Sequence, residues 1–282
     1  MRRTISMVAV LVMSTAGLVV ASAAPALASV PGVEIVVSNS GWSSSTVKSA
    51  VVKCPVGKQV IGTGWSIGSV TSGVHVPEVR PTATTVEVVA YEDADGVATD
   101  WSVSARAVCA DPLPGWEIVT TTSTMTTAAI DRVQVAACPS GKKLLGAAGE
   151  VSGGGGRVLL DGIVPTSGLV AVTAHTDGWG SDNIWNLRAH AICADPVAGH
   201  QVVSSSSGTT SADKTEFAYC PAGTTVLSSG GVIVPNDGRV ALSSLLSTAY
   251  GGSEYARVAG QEDDQGWATY WRIDALAICV TT

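Results

Sequence analysis

The chain has 282 residues, of which 14% are charged and 46% hydrophobic, with 31 glycines and a single phenylalanine, Phe217. So few Glu and Lys residues exclude a helical bundle or coiled coil, and the apolar content is too high for a disordered chain. A net charge of −7 argues against nucleic acid as the main partner, since phosphate neutralisation needs clustered Lys and Arg.

Met1-Arg2-Arg3 is followed by an apolar run from Ile5 to Ala24, and Ala26-Leu27-Ala28 places small residues at −3 and −1 before Ser29. This reads as a secretory signal peptide over residues 1–28, with a secreted, extracellular product. A retained anchor is the alternative, but Ser6, Ser14, Thr15 and Gly17 interrupt the run. The first Cys is Cys54, so no lipoprotein cysteine stands at the cleavage point. No apolar stretch near the C-terminus could hold the chain in a bilayer, so no membrane insertion is expected after cleavage. Loss of residues 1–28 leaves 254 of the 282, and loss of Arg2 and Arg3 moves the net charge from −7 to −9.

The mature chain repeats itself three times. Cys54-Pro55-Val56-Gly57, Cys138-Pro139-Ser140-Gly141 and Cys220-Pro221-Ala222-Gly223 recur in register with Ala107-Val108-Cys109, Ala191-Ile192-Cys193 and Ala277-Ile278-Cys279. Trp101, Trp185 and Trp271 each precede the second Cys by eight positions. The units are 29–111, 112–195 and 196–282. Trp101, Val103, Ala105, Ala107 and Cys109 alternate with period 2, so they line one face of a strand, and the same face returns in the other units. Further strands are expected in the first unit at 33–38, 46–54, 58–67, 73–79 and 85–92. The fold class is therefore all-β, with three pseudo-symmetric repeats of about 80 residues. Two arrangements fit: three tandem β-sandwiches, or closure about a pseudo-threefold axis as a β-prism in which each unit gives one Greek-key sheet. Short, similar linkers at Ala110–Pro114 and Ala194–Ala198 favour the closed form.

Cys-Pro-x-Gly, a glycine-rich strand and a strand ending in Cys resemble the repeat of the vitelline-membrane outer-layer protein family. The pattern is more closely similar to repeats of exported actinobacterial proteins, which run Cys-Pro-x-Gly-Lys, Gly-x-Gly, Trp, Ala-Ile-Cys. Cys54–Gly64, Cys138–Gly149 and Cys220–Gly231 carry the front half of the likeness, and the Trp-to-Cys strands carry the back half. The resemblance implies a secreted threefold β-prism and no catalytic residue.

Six Cys in an exported chain allow 15 connectivities. Repetition reduces them to two regular schemes. Pairing within units gives Cys54–Cys109, Cys138–Cys193 and Cys220–Cys279. Pairing across joints gives Cys109–Cys138 and Cys193–Cys220, with Cys54–Cys279 closing the ring. The first is favoured because it treats all three units alike. No Cys-x-x-Cys or His-x-His spacing points to zinc.

Gly64-Trp65-Ser66-Ile67-Gly68 matches a nucleophile elbow, but that motif needs a helix after the Ser, and the equivalent positions hold Glu150 and Val232. Of the four His, His190 is expected on a solvated strand face. The segment Gly153–Gly156 lacks the Lys and Ser/Thr of a phosphate loop. The chain is not expected to be an enzyme, and no cofactor or metal is expected.

The recurrent candidate is the loop before each Trp strand. It holds Tyr91, Glu92, Asp93 and Asp95 in the first unit, Asp177, Trp179 and Asp182 in the second, and Asp263, Asp264 and Trp267 in the third. Aromatic rings beside carboxylates suit sugar binding, the ring stacking on a pyranose and the acids accepting hydroxyl hydrogen bonds. Clustered acids could instead hold Ca²⁺, though no regular Asp spacing recurs. Acids could also sit there only because hairpins are polar. The expected function is a non-enzymatic, lectin-like protein whose partner is a glycan or cell-surface polysaccharide. The alternative is a structural or protein-interaction component of the extracellular layer with no small ligand.

Overall fold

The computed structural model describes residues 27–68, 72–93, 95–125, 131–177, 183–236, 238–263 and 265–282. The expected signal peptide therefore lies almost wholly outside the described residues. The first repeat forms β1 (Glu34–Asn39), β2 (Val47–Lys53), β3 (Gln59–Gly68), β4 (Val74–Pro81), β5 (Thr85–Glu92) and β6 (Ser102–Ala110). The second forms β7 (Glu117–Thr122), β8 (Asp131–Ala137), β9 (Lys143–Gly153), β10 (Val158–Pro165), β11 (Leu169–Thr176) and β12 (Trp185–Ala194). The third forms β13 (Gln201–Ser206), β14 (Lys214–Tyr219), β15 (Thr225–Val234), β16 (Val240–Tyr250), β17 (Ser253–Glu262) and β18 (Arg272–Val280). The period-2 pattern is the cause: along β2 every second residue is buried, and the rest face water.

The eighteen strands make three antiparallel sheets. Sheet I has the order β1-β6-β3-β16-β17-β14, sheet II β2-β5-β4-β9-β12-β7 and sheet III β13-β18-β15-β10-β11-β8. This corrects the expectation that each unit supplies one sheet. Every repeat splits, its first, third and sixth strands entering one sheet and its second, fourth and fifth the next. The shared sheets also set aside three tandem sandwiches. A three-stranded half-sheet would leave an open edge at its third or fourth strand, and pairing across repeats removes that edge. The joining rungs are few: Ser66↔Ser244 and Trp65↔Leu245, Gly162↔Val232 and Ile163↔Gly231, and Glu78↔Glu150.

Inside each repeat the two half-sheets face each other across the Trp face. Trp101, Trp185 and Trp271 are fully buried, as are the alternating alanines that follow them. Disulfides Cys54–Cys109, Cys138–Cys193 and Cys220–Cys279 tie the half-sheets together, the pairing within units. Formed disulfides fit an oxidising compartment. Among the described residues no helix is long and apolar enough to cross a membrane.

The repeats meet where β3, β9 and β15 carry one unpaired residue each, Ile61, Leu145 and Leu227. These three side chains pack with Val30, Leu113 and Val197 in an apolar plug at one end of the pseudo-threefold axis. Backbone meets backbone there: a Cβ on Gly62 would lie 1.9 Å from the Leu227 carbonyl oxygen, and one on Gly146 would lie 2.5 Å from that of Ile61. Around this base the Asp111, Asp195 and Thr281 N–H groups donate to the carbonyls of Pro31, Pro114 and Ala198 at 3.1, 3.0 and 2.9 Å. The Val30 N–H donates to the Thr281 carbonyl at 3.0 Å, joining the start of the first repeat to the end of the third.

Candidate functional site

At the other end of the axis β4, β10 and β16 begin and β5, β11 and β17 end. One backbone hydrogen bond recurs there in each repeat: the Asp93, Asp177 and Asp263 N–H groups donate to the carbonyls of Gly73, Arg157 and Arg239 at 2.8, 2.8 and 2.9 Å. The fixed register carries these three aspartates to one place. All three line a single cavity of about 60 Å³, together with His75, Leu159 and Ala241, which occupy one equivalent position in β4, β10 and β16. That is room for roughly four or five waters or the end of a polar ligand. Loops that the sequence presents as three separate candidate sites thus contribute to one.

The lining is acidic. Asp177 pairs with Arg157 at 3.2 Å and Asp263 with Arg239 at 3.4 Å. In the first repeat Gly73 stands where those arginines are, and Asp93 Oδ1 accepts the Asp95 and Gly96 N–H groups at 3.1 Å each. Asp95 is exposed at the mouth. Burial pushes the His75 imidazole down to about 4, against a weaker opposing hydrogen bond with the Gly156 backbone, so the ring is neutral at ordinary pH.

Tyr91 lies outside this cavity. It lines an adjoining cleft with Pro77, Glu78 and the glycine turn at 153–156, and its hydroxyl donates to Glu78 Oε1 at 3.3 Å. Gly156, at φ +79°, lines both spaces. Glu92 instead supports the core, where its carboxylate accepts the Trp101 indole N–H at 2.7 Å and the Val97 N–H at 3.2 Å. Glu262 does the same for Trp271 at 2.6 Å and for the Trp267 N–H at 3.1 Å, and it also lines the cavity. Trp267 is half-buried against the core and does not line the cavity. Trp179, Asp182 and Asp264 lie outside the described residues.

The sequence reading missed the cations over the buried indoles. Lys48, Arg132 and Lys214 sit 4.8, 4.5 and 3.7 Å from the ring centres of Trp101, Trp185 and Trp271. The signal was present, because each stands six residues before the first Cys of its repeat. In the second repeat Thr176 replaces the glutamate, and the buried Trp185 indole N–H has no hydrogen-bond partner among the described residues. Glu262→Ala would leave Trp271 in the same condition and is expected to cost about 1–3 kcal/mol in urea denaturation. Glu262→Gln, which keeps an acceptor, is expected to cost less, and equal losses for both variants would refute this role.

Two other sequence readings are settled by the geometry. Ser66 stands within β3 between Ser104 and Ser244, with no strand-to-helix turn. His190 is buried, not solvated: its Nδ1 lies 2.9 Å from Thr120 Oγ1 and its Nε2 3.6 Å from Glu150. Among the described residues no group of three or more His, Cys, Asp or Glu is placed to hold a metal ion. Comparison with protein-family models and with curated proteins finds no match to the chain.

Proposed function

We propose that the protein is an exported, non-enzymatic binding protein for a glycan of an extracellular or cell-envelope polysaccharide, held at the axial cavity and its adjoining cleft. The observation that carries this reading is the convergence of Asp93, Asp177 and Asp263, one from each repeat, on a single opening. Carboxylates there accept hydroxyl hydrogen bonds, and the neighbouring Tyr91 offers an aromatic face beside Glu78. The disulfides suit an extracellular protein.

A glycan array followed by titration of the best ligand tests it. Asp177→Asn is expected to weaken binding about tenfold, the effect of one lost charge-assisted hydrogen bond, with the melting temperature little changed. Absence of binding to every glycan, with and without Ca²⁺, would defeat the reading and leave a structural component of the extracellular layer.

A further inference from the structure

Strand register allows the outward faces of the three sheets to be compared rung by rung. Where two repeats meet in sheet II, Arg188, Glu150 and Glu78 share one row, and Arg80 and Glu87 share the next. These charges pair with one another: Glu150 accepts from Arg188 at 2.8 Å and lies 3.2 Å from Arg80, which also meets Glu87 at 3.1 Å. Burial raises the Glu150 carboxyl, but His190, Arg188 and Arg80 outweigh it and hold the group down to about 2. In sheet III the matching row is Asp274, Val232 and Gly162, and Asp274 is taken up by Arg272 at 2.9 Å.

Sheet I differs. Its matching row is Ser104, Ser66 and Ser244, a line of hydroxyls, and the next rung holds Arg106 and Arg257. Among the described residues neither arginine has a carboxylate partner. Arg106 Nη1 donates to the Ser247 carbonyl and Arg257 Nη1 to Ser244 Oγ, each at 3.1 Å, while Arg106 Nε is buried without a partner. Burial pushes the Arg106 guanidinium down from its ordinary range, a penalty that a bound anion would reverse.

The middle of this face is sunken. Ser244 is 4% exposed, while Val37 and Tyr219 at the two rims are 45% and 57% exposed. At the second rim Phe217, Tyr219 and Tyr255 form an aromatic cluster with ring centres 5.2 to 6.3 Å apart. Lys53 and Ala137 stand where Tyr219 does in the other repeats, so the cluster is particular to this groove.

We propose that the outward groove of sheet I, between the first and third repeats, binds an acidic polysaccharide, with its anionic groups on Arg106 and Arg257 and its sugar rings against Phe217, Tyr219 and Tyr255. This rests on the glycan-binding reading and adds a second site and a charge class to it. Charge complementarity selects the anion: Arg257 stands where Glu87 does in sheet II, and the serine row stands where Glu150 and Glu78 do, so the two guanidinium groups of this face meet no acid among the described residues. Their strands are three inter-strand steps apart, about 14 Å of backbone, which suits a polymer with spaced charges better than a small anion. The hydroxyl row and tyrosine rim match a polyol, and a chain of net charge −7 opposes so dense a polyanion as nucleic acid.

Electrophoresis of the intact protein through native gels containing dextran sulfate, polygalacturonate, dextran or duplex DNA tests the proposal. The acidic polysaccharides should retard the wild type, and the effect should weaken with salt. Arg106→Gln with Arg257→Gln should reduce the apparent affinity about tenfold or more, whereas Arg272→Gln, on sheet III, should not. If the double variant fails to fold, Tyr219→Ser at the exposed rim should weaken retention about threefold. Equal retardation by dextran and dextran sulfate, retardation by DNA as strong as by dextran sulfate, or wild-type affinity in the folded double variant (or in Tyr219→Ser, if the double variant fails to fold) would overturn the groove. If neutral glycans bind and only Asp177→Asn weakens them, the axial site stands and the groove falls. Binding to no polymer and no glycan would remove both.

Discussion

Replacing Cys138 and Cys193 together by Ser is expected to lower the free energy of unfolding by about 4 kcal/mol. The bridge closes a loop of sequence separation 55, and the chain-entropy relation for a loop of that length gives this value. It also joins β12 of sheet II to the segment that follows β8 of sheet III, so it pins the two half-sheets of one repeat where no continuous strand pairing links them. The other bridges span separations of 55 and 59, so the same pair of substitutions in either of the other repeats should cost nearly the same. Urea denaturation monitored by tryptophan fluorescence measures the loss. Because each repeat holds half of two sheets, weakening one should shift a single transition. Two separated transitions would show that the shared sheets do not couple the repeats.

Trp271→Ala is expected to cost about 3–5 kcal/mol, the range for removing a fully buried large aromatic side chain. Here the upper end applies. The indole N–H donates to Glu262, and Lys214 lies 3.7 Å above the ring, so deletion removes a hydrogen bond to a carboxylate and a cation–ring contact along with the packing. Trp185→Ala should fall at the lower end, because its N–H makes no hydrogen bond among the described residues. Denaturation of both variants separates packing from polar contributions, with a difference of about 1–2 kcal/mol expected. Equal losses would mean that the hydrogen bond to the glutamate adds nothing beyond packing.

The strands, the three repeats and the Cys pairing were legible because each appears three times in register. The edges of β1 to β5 fall within two residues of those expected from alternation and turn residues. Sheet sharing was not legible. It rests on one or two rungs per junction between strands far apart in sequence, and nothing in β3 or β4 alone distinguishes a partner in its own repeat from one in the next. The acids before the Trp strands were visible as a group, but alternation could not divide them. Asp93, Asp177 and Asp263 turn to the axis, whereas Glu92, one residue earlier, turns to its indole, and Glu262 meets its indole and lines the cavity as well. His190 was misread because it shares a face with residues that vary between repeats. In sheet II that face carries an ion network around the buried Glu150, in sheet III the Arg272–Asp274 pair beside Val232 and Gly162, and in sheet I two arginines.

The hydrogen bond from Val30 to Thr281 completes at the base what the chain completes elsewhere by simply continuing. The order of the repeats is therefore cyclic. The three joints occupy equivalent places around the base, and a circular permutant opened at Pro112, with Thr282 linked to Ser29, is expected to keep the three shared sheets. Val30 and Thr281 also lie at the plugged base, opposite the acidic mouth, so this closure is made at the far end of the axis from the opening.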